Sequence, residues 1–219
     1  MFLNLRQAIG RWFIKKIQKY GPHKVQVSGK TYVISKEVFN PKFYYTSEFM
    51  AKHIKVTPED EVLDMGTGSG IQAITAGQIA RRVIAIDINP EAVRFAGKNV
   101  IANRLENVVS VLEGDLFSPL HPGHKFSVIL FTPPYLKGTP KTDFERALFD
   151  PDKELVRRFF KEAREYLKPD GYVQMIYSSI AEPERVLKIS RELGWKHTLV
   201  AQGEALMEKF LIYKLTLIV

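Results

Sequence analysis

Apolar residues recur with helical spacing at the start of the chain. Leu5, Ile9, Trp12, Phe13 and Ile17 form one stripe of the segment Leu3 to Lys19, and Arg11, Lys15, Lys16 and Lys19 surround it. That pattern predicts a basic amphipathic helix, stopped by Gly21-Pro22. The period then shortens. Val25 to Val27 and Tyr32 to Ile34 flank Ser28-Gly29-Lys30, which predicts a β-hairpin. Asn40-Pro41 reads as a turn, and Thr46 to Ile54 as a short helix.

From Glu61 onward short apolar strands alternate with helices. Val62 to Met65, Val83 to Ile86, Val108 to Leu112, Phe126 to Phe131 and Tyr172 to Tyr177 read as strands. A helix follows the first and runs through Ile79. Another opens with Asn89 as cap and Pro90 at the first helical position. Lys153 to Leu167 reads as a helix ended by Pro169-Asp170-Gly171, and Pro183 to Leu193 as one ended by Gly194. Lys196 to Val200 and Phe210 to Val219 close the chain as strands joined through Gln202 to Glu208, a link too short for a parallel crossover. The order implies an α/β domain: a doubly wound, mostly parallel seven-stranded sheet with one antiparallel terminal strand. Residues 1–55 form a helix-and-hairpin extension and residues 56–219 the main domain.

Composition narrows the class. The chain has 219 residues, 45% apolar and 26% charged, a globular balance. No apolar run is long enough to span a bilayer. The first residues carry neither an uninterrupted apolar run nor a small-residue cleavage site, so a cytoplasmic protein is expected. With no cysteine, disulfides and Cys-ligated zinc are excluded. The net charge of +8 raises the expectation of an acidic partner such as RNA, although solvated lysines on the surface account for it equally well.

The chemistry centres on Asp64-Met65-Gly66-Thr67-Gly68-Ser69-Gly70, between a strand and a helix. Glycines let the backbone turn tightly and approach a ligand, and the helix start offers N–H groups to a carboxylate or phosphate. Gly68-Ser69-Gly70-Ile71-Gln72-Ala73, with Asp87 at the end of the next strand, also satisfies a dinucleotide-site pattern. Against a pyrophosphate stands Asp64, whose charge would repel it and attract an amino-acid ammonium.

Four segments in order, VLDMGTGSG, IAIDINP, EGDLF and FTPPYL, resemble the cofactor and substrate motifs of class I methyltransferases. The last resembles the Asn-Pro-Pro-Tyr signature of amino- and amide-nitrogen methyltransferases, above all the HemK type that acts on a glutamine of release factors. FYYTSEFMAKHI resembles that family's approach to its cofactor pocket. The resemblance runs from about Val56 to the C-terminus. It implies a Rossmann-like methyltransferase fold and S-adenosyl-L-methionine as cofactor. Asp64, Gly66, Thr67, Gly68 and Gly70 would face its methionine part, Asp87 its ribose hydroxyls and Ile88 its adenine face, with Asp115 and Leu116 at the adenine edge. A helix-capping role for Asp87 and a turn role for Asp115 are the plainer alternatives.

Thr132-Pro133-Pro134-Tyr135 would form the catalytic turn. Two prolines stiffen the backbone and remove two donors, leaving carbonyls to accept from a planar amide or base amine. Tyr135 would stack on that group, and orientation rather than a metal or covalent intermediate would drive transfer. Thr132 departs from the family's Asn: a hydroxyl is a shorter acceptor and can donate instead. Ala147 to Asp152 replaces the family's glycine-containing stretch. Lys137 to Asp150 reads as a substrate-facing loop or lid. The partner would be a release-factor-like protein or RNA, reached in one reading through the basic N-terminal helix, with no metal and no membrane. An NAD(P)-dependent oxidoreductase and a non-catalytic methyltransferase-like subunit are the alternative functions.

Overall fold

A computed structural model describes residues 20–205 and 208–218; the helix expected over Leu3 to Lys19 lies outside them. Strands β1 (Lys24–Val27) and β2 (Lys30–Val33) form the expected hairpin. Its two-residue turn places Ser28 and Gly29 at φ 49° and 77°, the doubly left-handed geometry that matches strand twist. Val25, Val27 and Tyr32 are buried, alternating with exposed Lys24 and Gln26. Helix α1 (Tyr45–Lys52) leads into the main sheet.

That sheet contains β3 (Glu61–Met65), β4 (Arg82–Asp87), β5 (Val109–Glu113), β6 (Phe126–Phe131), β7 (Leu167–Ser178), β8 (Trp195–Ala205) and β9 (Glu208–Leu217). Its order is β5-β4-β3-β6-β7-β9-β8. The pairings from β5 through β7 are parallel, and β9 runs against both neighbours. The seven-stranded, mostly parallel architecture is therefore as expected. The reversed strand is the last in the chain but lies one place in from the edge, between β7 and β8.

Because side chains alternate across a strand, the sheet divides its residues between two apolar layers. Leu63, Met65, Ile129 and Met175 face α5 (Glu154–Ala163) and α6 (Pro183–Glu192), whose Val156, Phe159, Phe160, Val186 and Ile189 complete one layer. Val62, Ala85, Leu130 and Ile176 face the other layer. There α2 (Ile71–Ala76) and α3 (Pro90–Ala102) contribute Ala73, Ile74, Ala92 and Val100. The hairpin adds Val25, Val27 and Tyr32 to that second layer, so it shares the sheet's core. Burial on both faces explains why β3, β4 and β6 read as nearly continuous apolar runs. A one-turn helix, α4 (Asp143–Arg146), lies between β6 and α5.

Asn99, fully buried on α3, ties three parts together. Its Oδ1 accepts from Val33 N at 2.7 Å, and its Nδ2 donates to the carbonyls of Val33 at 3.0 Å and Ser69 at 2.9 Å. Asn99→Ala would leave a donor and two acceptors unpaired, costing about 3 kcal/mol. The melting temperature is expected to fall by roughly 6–12 °C in a calorimetric scan; a fall of a degree or less would refute this role.

Two boundaries differ from the expectation. Helix α5 ends at Ala163, followed by a 3-10 turn over Arg164–Tyr166, and the chain is already extended at Leu167, across Pro169-Asp170-Gly171. Leu167 is buried and pairs with Phe126, after which the ladder shifts register. A proline with no N–H to offer is accommodated at such an irregularity. The stretch expected as a link, Gln202 to Glu208, is mostly strand, with Ala205 paired to Glu208. Its polar sequence reflects an edge strand that exposes much of its surface.

Candidate active site

The carboxyl ends of β3, β4 and β6 open onto one cavity of about 720 Å³, within the usual size of small-molecule sites, roughly 300–1,000 Å³. Open α/β sheets bind ligands at this edge. Gly66, Thr67, Gly68, Asp87, Ile88, Asp115, Leu116 and Thr132 to Tyr135 all lie on its wall.

The loop after β3 turns back on the sheet, with Gly66 N and Thr67 N donating to the Ile86 carbonyl at 2.8 and 3.0 Å. Gly66 and Gly68 have φ of 71° and 55°, a region that favours glycine. Gly68 N then donates to Asp87 Oδ2 at 2.8 Å, and Asn89 N to Oδ1 at 2.9 Å. Burial pushes the Asp87 carboxyl up, while the amides of Asn89, Gly68 and Ile88 pull it down. The two hydrogen bonds use about two of a carboxylate's roughly four acceptor positions, so Asp87 keeps capacity for a ligand at the cavity wall. The cap of α3 is Asn89, whose Oδ1 accepts from Glu91 N at 2.9 Å, so Asp87 is not needed for it. Ile88 stays 39% exposed on the same wall, an apolar surface suited to a flat ring.

Asp64 and Gly70 are not on the wall. Asp64 shares the parity of Val62 and so points toward α2, where it is buried beneath the loop. It accepts from Thr67 Oγ1 at 2.6 Å and Ala73 N at 3.0 Å. Its carboxylate thus occupies the start of α2 and braces the loop from below. Gly70, at φ 84°, packs against Ala96. Burial raises Asp64 from its ordinary 3.8 to about 7, against the bonds from Thr67 and Ala73, and Asp87 adds to the rise. The folded chain therefore holds a proton that the unfolded chain has released. Stability is lost as pH rises from about 4 to about 7, by a few kcal/mol at most. Denaturant titrations at the two ends of that window should show wild type losing stability relative to Asp64→Asn; parallel behaviour would contradict this.

Asp115 takes the turn role that was the plainer alternative, and its carboxylate pairs with an arginine. Its amide donates to Ser118 Oγ at 3.1 Å within the turn, and Arg158 Nη2 donates to its Oδ2 at 2.8 Å. Leu116, buried at φ 49°, follows it.

After β6, Thr132 Oγ1 is buried with no hydrogen-bond partner among the described residues. The amides of Tyr135 and Leu136 donate to the Leu148 carbonyl at 3.2 and 2.8 Å. The turn's carbonyls are not all free as expected: that of Tyr135 accepts from the buried Lys153 Nζ at 3.1 Å. The Pro133 carbonyl accepts no bond from the described residues. Burial pushes the Tyr135 phenol well up, and Glu208 and Tyr44 add to the effect, so its hydroxyl is neutral. Beyond it the expected lid is ordered. Leu136, Phe144, Leu148 and Phe149 form a small apolar cluster with Phe39, and Asp143, Arg146 and Leu148 face the cavity.

Among the wall residues that sequence reasoning did not single out are Tyr44, Gln72 and Glu208. Tyr44 lay within the FYYTSEFMAKHI resemblance, and Gln72 within the glycine motif; nothing marked Glu208. Tyr44 Oη and Gln72 Oε1, like Thr132 Oγ1, are buried without a partner among the described residues. Buried polar atoms are ordinarily paired. Three orphans on one wall, beside the acceptor Asp87, fit a ligand rich in hydrogen-bonding groups such as S-adenosylmethionine and its nitrogen acceptor.

A model of the methyltransferase small domain matches residues 31–213. The chain belongs to this family. A Methanocaldococcus jannaschii relative, provisionally named a protein N5-glutamine methyltransferase, is 30% identical over 86% of this chain and 96% of its own. A release factor glutamine methyltransferase of Koribacter versatilis is 34% identical over 71% of this chain but only 60% of its own. The chain therefore spans nearly all of the first relative and under two thirds of the second. A T. thermophilus 16S rRNA N2 G1207 methyltransferase, solved with AdoMet and guanosine, shares the fold. Its TM-score is 0.65 at 18% identity, over 87% of this chain and 48% of that one. The protein is a class I methyltransferase of the HemK type, an N-methyltransferase that uses S-adenosylmethionine. The oxidoreductase alternative finds no support in these relatives. Among the described residues, no helix of this methyltransferase is long and apolar enough to cross a membrane, and no cluster of three or more His, Cys, Asp or Glu residues could hold a metal.

Proposed function

We propose that this methyltransferase binds S-adenosylmethionine in the cavity and methylates the side-chain amide nitrogen of a protein glutamine. The observation that carries the reading is the unpartnered Thr132 Oγ1 at the head of the Pro-Pro-Tyr turn, in the same cavity as Asp87. The naming of the nearly full-length archaeal relative supports the amide over other planar nitrogens.

The bound cofactor supplies a methyl group on a sulfonium, an electrophile that needs no further activation. Asp87 would accept from the ribose hydroxyls with its spare acceptor positions, and Ile88 would cover one adenine face. Thr132 Oγ1 and the Pro133 carbonyl accept from the target NH2 group. With both N–H bonds held, the nitrogen lone pair turns out of conjugation and faces the methyl carbon. Tyr135 stacks against the amide plane, and the lid carrying Leu148 excludes water. The protein's contribution is mainly orientation.

A second reading, an exocyclic base amine of RNA, is favoured by the net charge of +8. Methyl-tritiated cofactor, incubated with the chain and a cell extract, separates the two. The amide reading expects label that resists nuclease, is released by protease, and appears as N5-methylglutamine on hydrolysis. Label released by nuclease would overturn it in favour of RNA.

A further inference from the structure

Glu208 opens β9 at the cavity's acceptor end, and nothing in the proposed function so far uses it. The register pairs Phe131 of β6 with Met175 of β7, and Ser178 at the end of β7 with Phe210 of β9. The turn after β6 and the start of β9 therefore meet around the last residues of β7. Tyr135 lies on Tyr177, with ring centroids 5.8 Å apart, and Ser178 donates to the Glu208 carboxylate. Glu208 lines the same cavity as Thr132, Tyr135 and Tyr44.

Its surroundings are unusual for a carboxylate. Its neighbours on the wall, Ala205, Phe210 and Ile180, are apolar. The polar and titratable groups facing it are Ser178 from β7 and Tyr135 from the turn after β6, with Tyr44, from the segment before α1, beside Tyr135 on the same wall. Among the described residues no Lys or Arg pairs with it, since the adjacent Lys209 pairs with Glu204. Removing a carboxylate from water without a cation is costly, and such groups concentrate at functional sites.

We propose that Glu208 is the general base of this reaction, accepting the proton that the glutamine amide loses on methylation. The inference rests on the amide reading above. In the step, the nitrogen lone pair forms the bond to the methyl carbon, and the carbon–sulfur bond breaks with its electron pair left on sulfur. As the nitrogen becomes tetrahedral, one N–H leaves its acceptor on the turn for Glu208; that bond breaks, its pair stays on nitrogen, and the proton passes to a Glu208 carboxylate oxygen. Solvent takes that proton after the product leaves. An amide nitrogen is weakly nucleophilic, so losing the proton as the bond forms lowers the barrier, by typically 10²–10⁴ in rate. Burial pushes the Glu208 carboxyl up, and the Ser178 bond pulls it down. The ionised form is the active one, so the rate rises with pH through that raised value and then levels.

The test compares wild type, Glu208→Gln and Glu208→Asp as full chains. Calorimetry with S-adenosylhomocysteine reports the cofactor half and the fold. Tritium transfer into glutamine of an extract's protein fraction, measured from pH 5 to 8, reports the chemistry. Glu208→Gln is expected to bind S-adenosylhomocysteine within about threefold of wild type, to transfer at roughly 1% of its rate, and to lose the acidic limb of the pH profile. Glu208→Asp should regain part of the rate and the limb. Transfer by Glu208→Gln within threefold of wild type, with an unchanged limb, would overturn the role of Glu208 alone. A wild-type chain that binds S-adenosylhomocysteine yet labels no glutamine would overturn the amide reading and this inference with it.

Discussion

Asp87→Asn is expected to weaken S-adenosylhomocysteine binding by 100-fold or more, with a loss of stability of about 1–3 kcal/mol from the one loop amide left unpaired. The carboxylate already holds the Gly68 and Asn89 amides and faces the cavity with acceptor capacity left over. Two ribose hydroxyls donating to a charged acceptor contribute about 1.5–3 kcal/mol each, and a combined loss near 3 kcal/mol is about two orders of magnitude in affinity. Asparagine keeps one carbonyl oxygen for the loop, while its NH2 group meets a donor and one amide bond is lost. The glycine turn should persist through the bonds of Gly66 and Thr67 to the Ile86 carbonyl, while its ligand is lost. Calorimetric titration of the two proteins, alongside their thermal unfolding, gives the comparison. Unchanged affinity in a folded Asp87→Asn would remove the ribose role.

Tyr135→Ala is expected to lower the transfer rate by roughly 100-fold while leaving S-adenosylhomocysteine affinity within about threefold. The ring lies between Tyr177 and the cavity, at the acceptor end rather than beside Asp87. Its backbone is held at both ends, by the Leu148 carbonyl on its amide and Lys153 on its carbonyl. Removing the ring should leave the turn in place and take away only the surface that orients the planar acceptor. A misplacement of about 1 Å in an oriented reaction costs on the order of 10² in rate. Single-turnover transfer at saturating cofactor reads this directly. Equal losses in cofactor affinity and rate would mean that Tyr135 supports the cofactor rather than the acceptor.

The parts of the site that were legible in the sequence are those whose chemistry and position coincide on one short segment. The glycines after β3, Asp87 at the tip of β4 and the Thr-Pro-Pro-Tyr turn after β6 each sit at the carboxyl end of an apolar run, and strand order alone brings such ends together. That Asp64 is off the cavity wall follows from the same period. It alternates with Leu63 and Met65 and shares its face with Val62, so it turns under α2 and not into the cavity. Glu208 left no trace because its place depends on β9 entering the sheet beside β7, a pairing that local pattern does not encode. The lid was legible as a loop but not as an ordered one. Its apolar residues, Phe144, Leu148 and Phe149, have no regular spacing, and they become a cluster only with Leu136 before them and Phe39 from the segment before α1.

A crystal structure of the chain with S-adenosylhomocysteine tests the account at its centre. The expected result has the ribose hydroxyls on the Asp87 carboxylate, the adenine on Ile88, and the sulfur directed at the gap between Thr132 and Tyr135. A ligand bound with its ribose away from Asp87, or with its sulfur turned from the Pro-Pro turn, would contradict it.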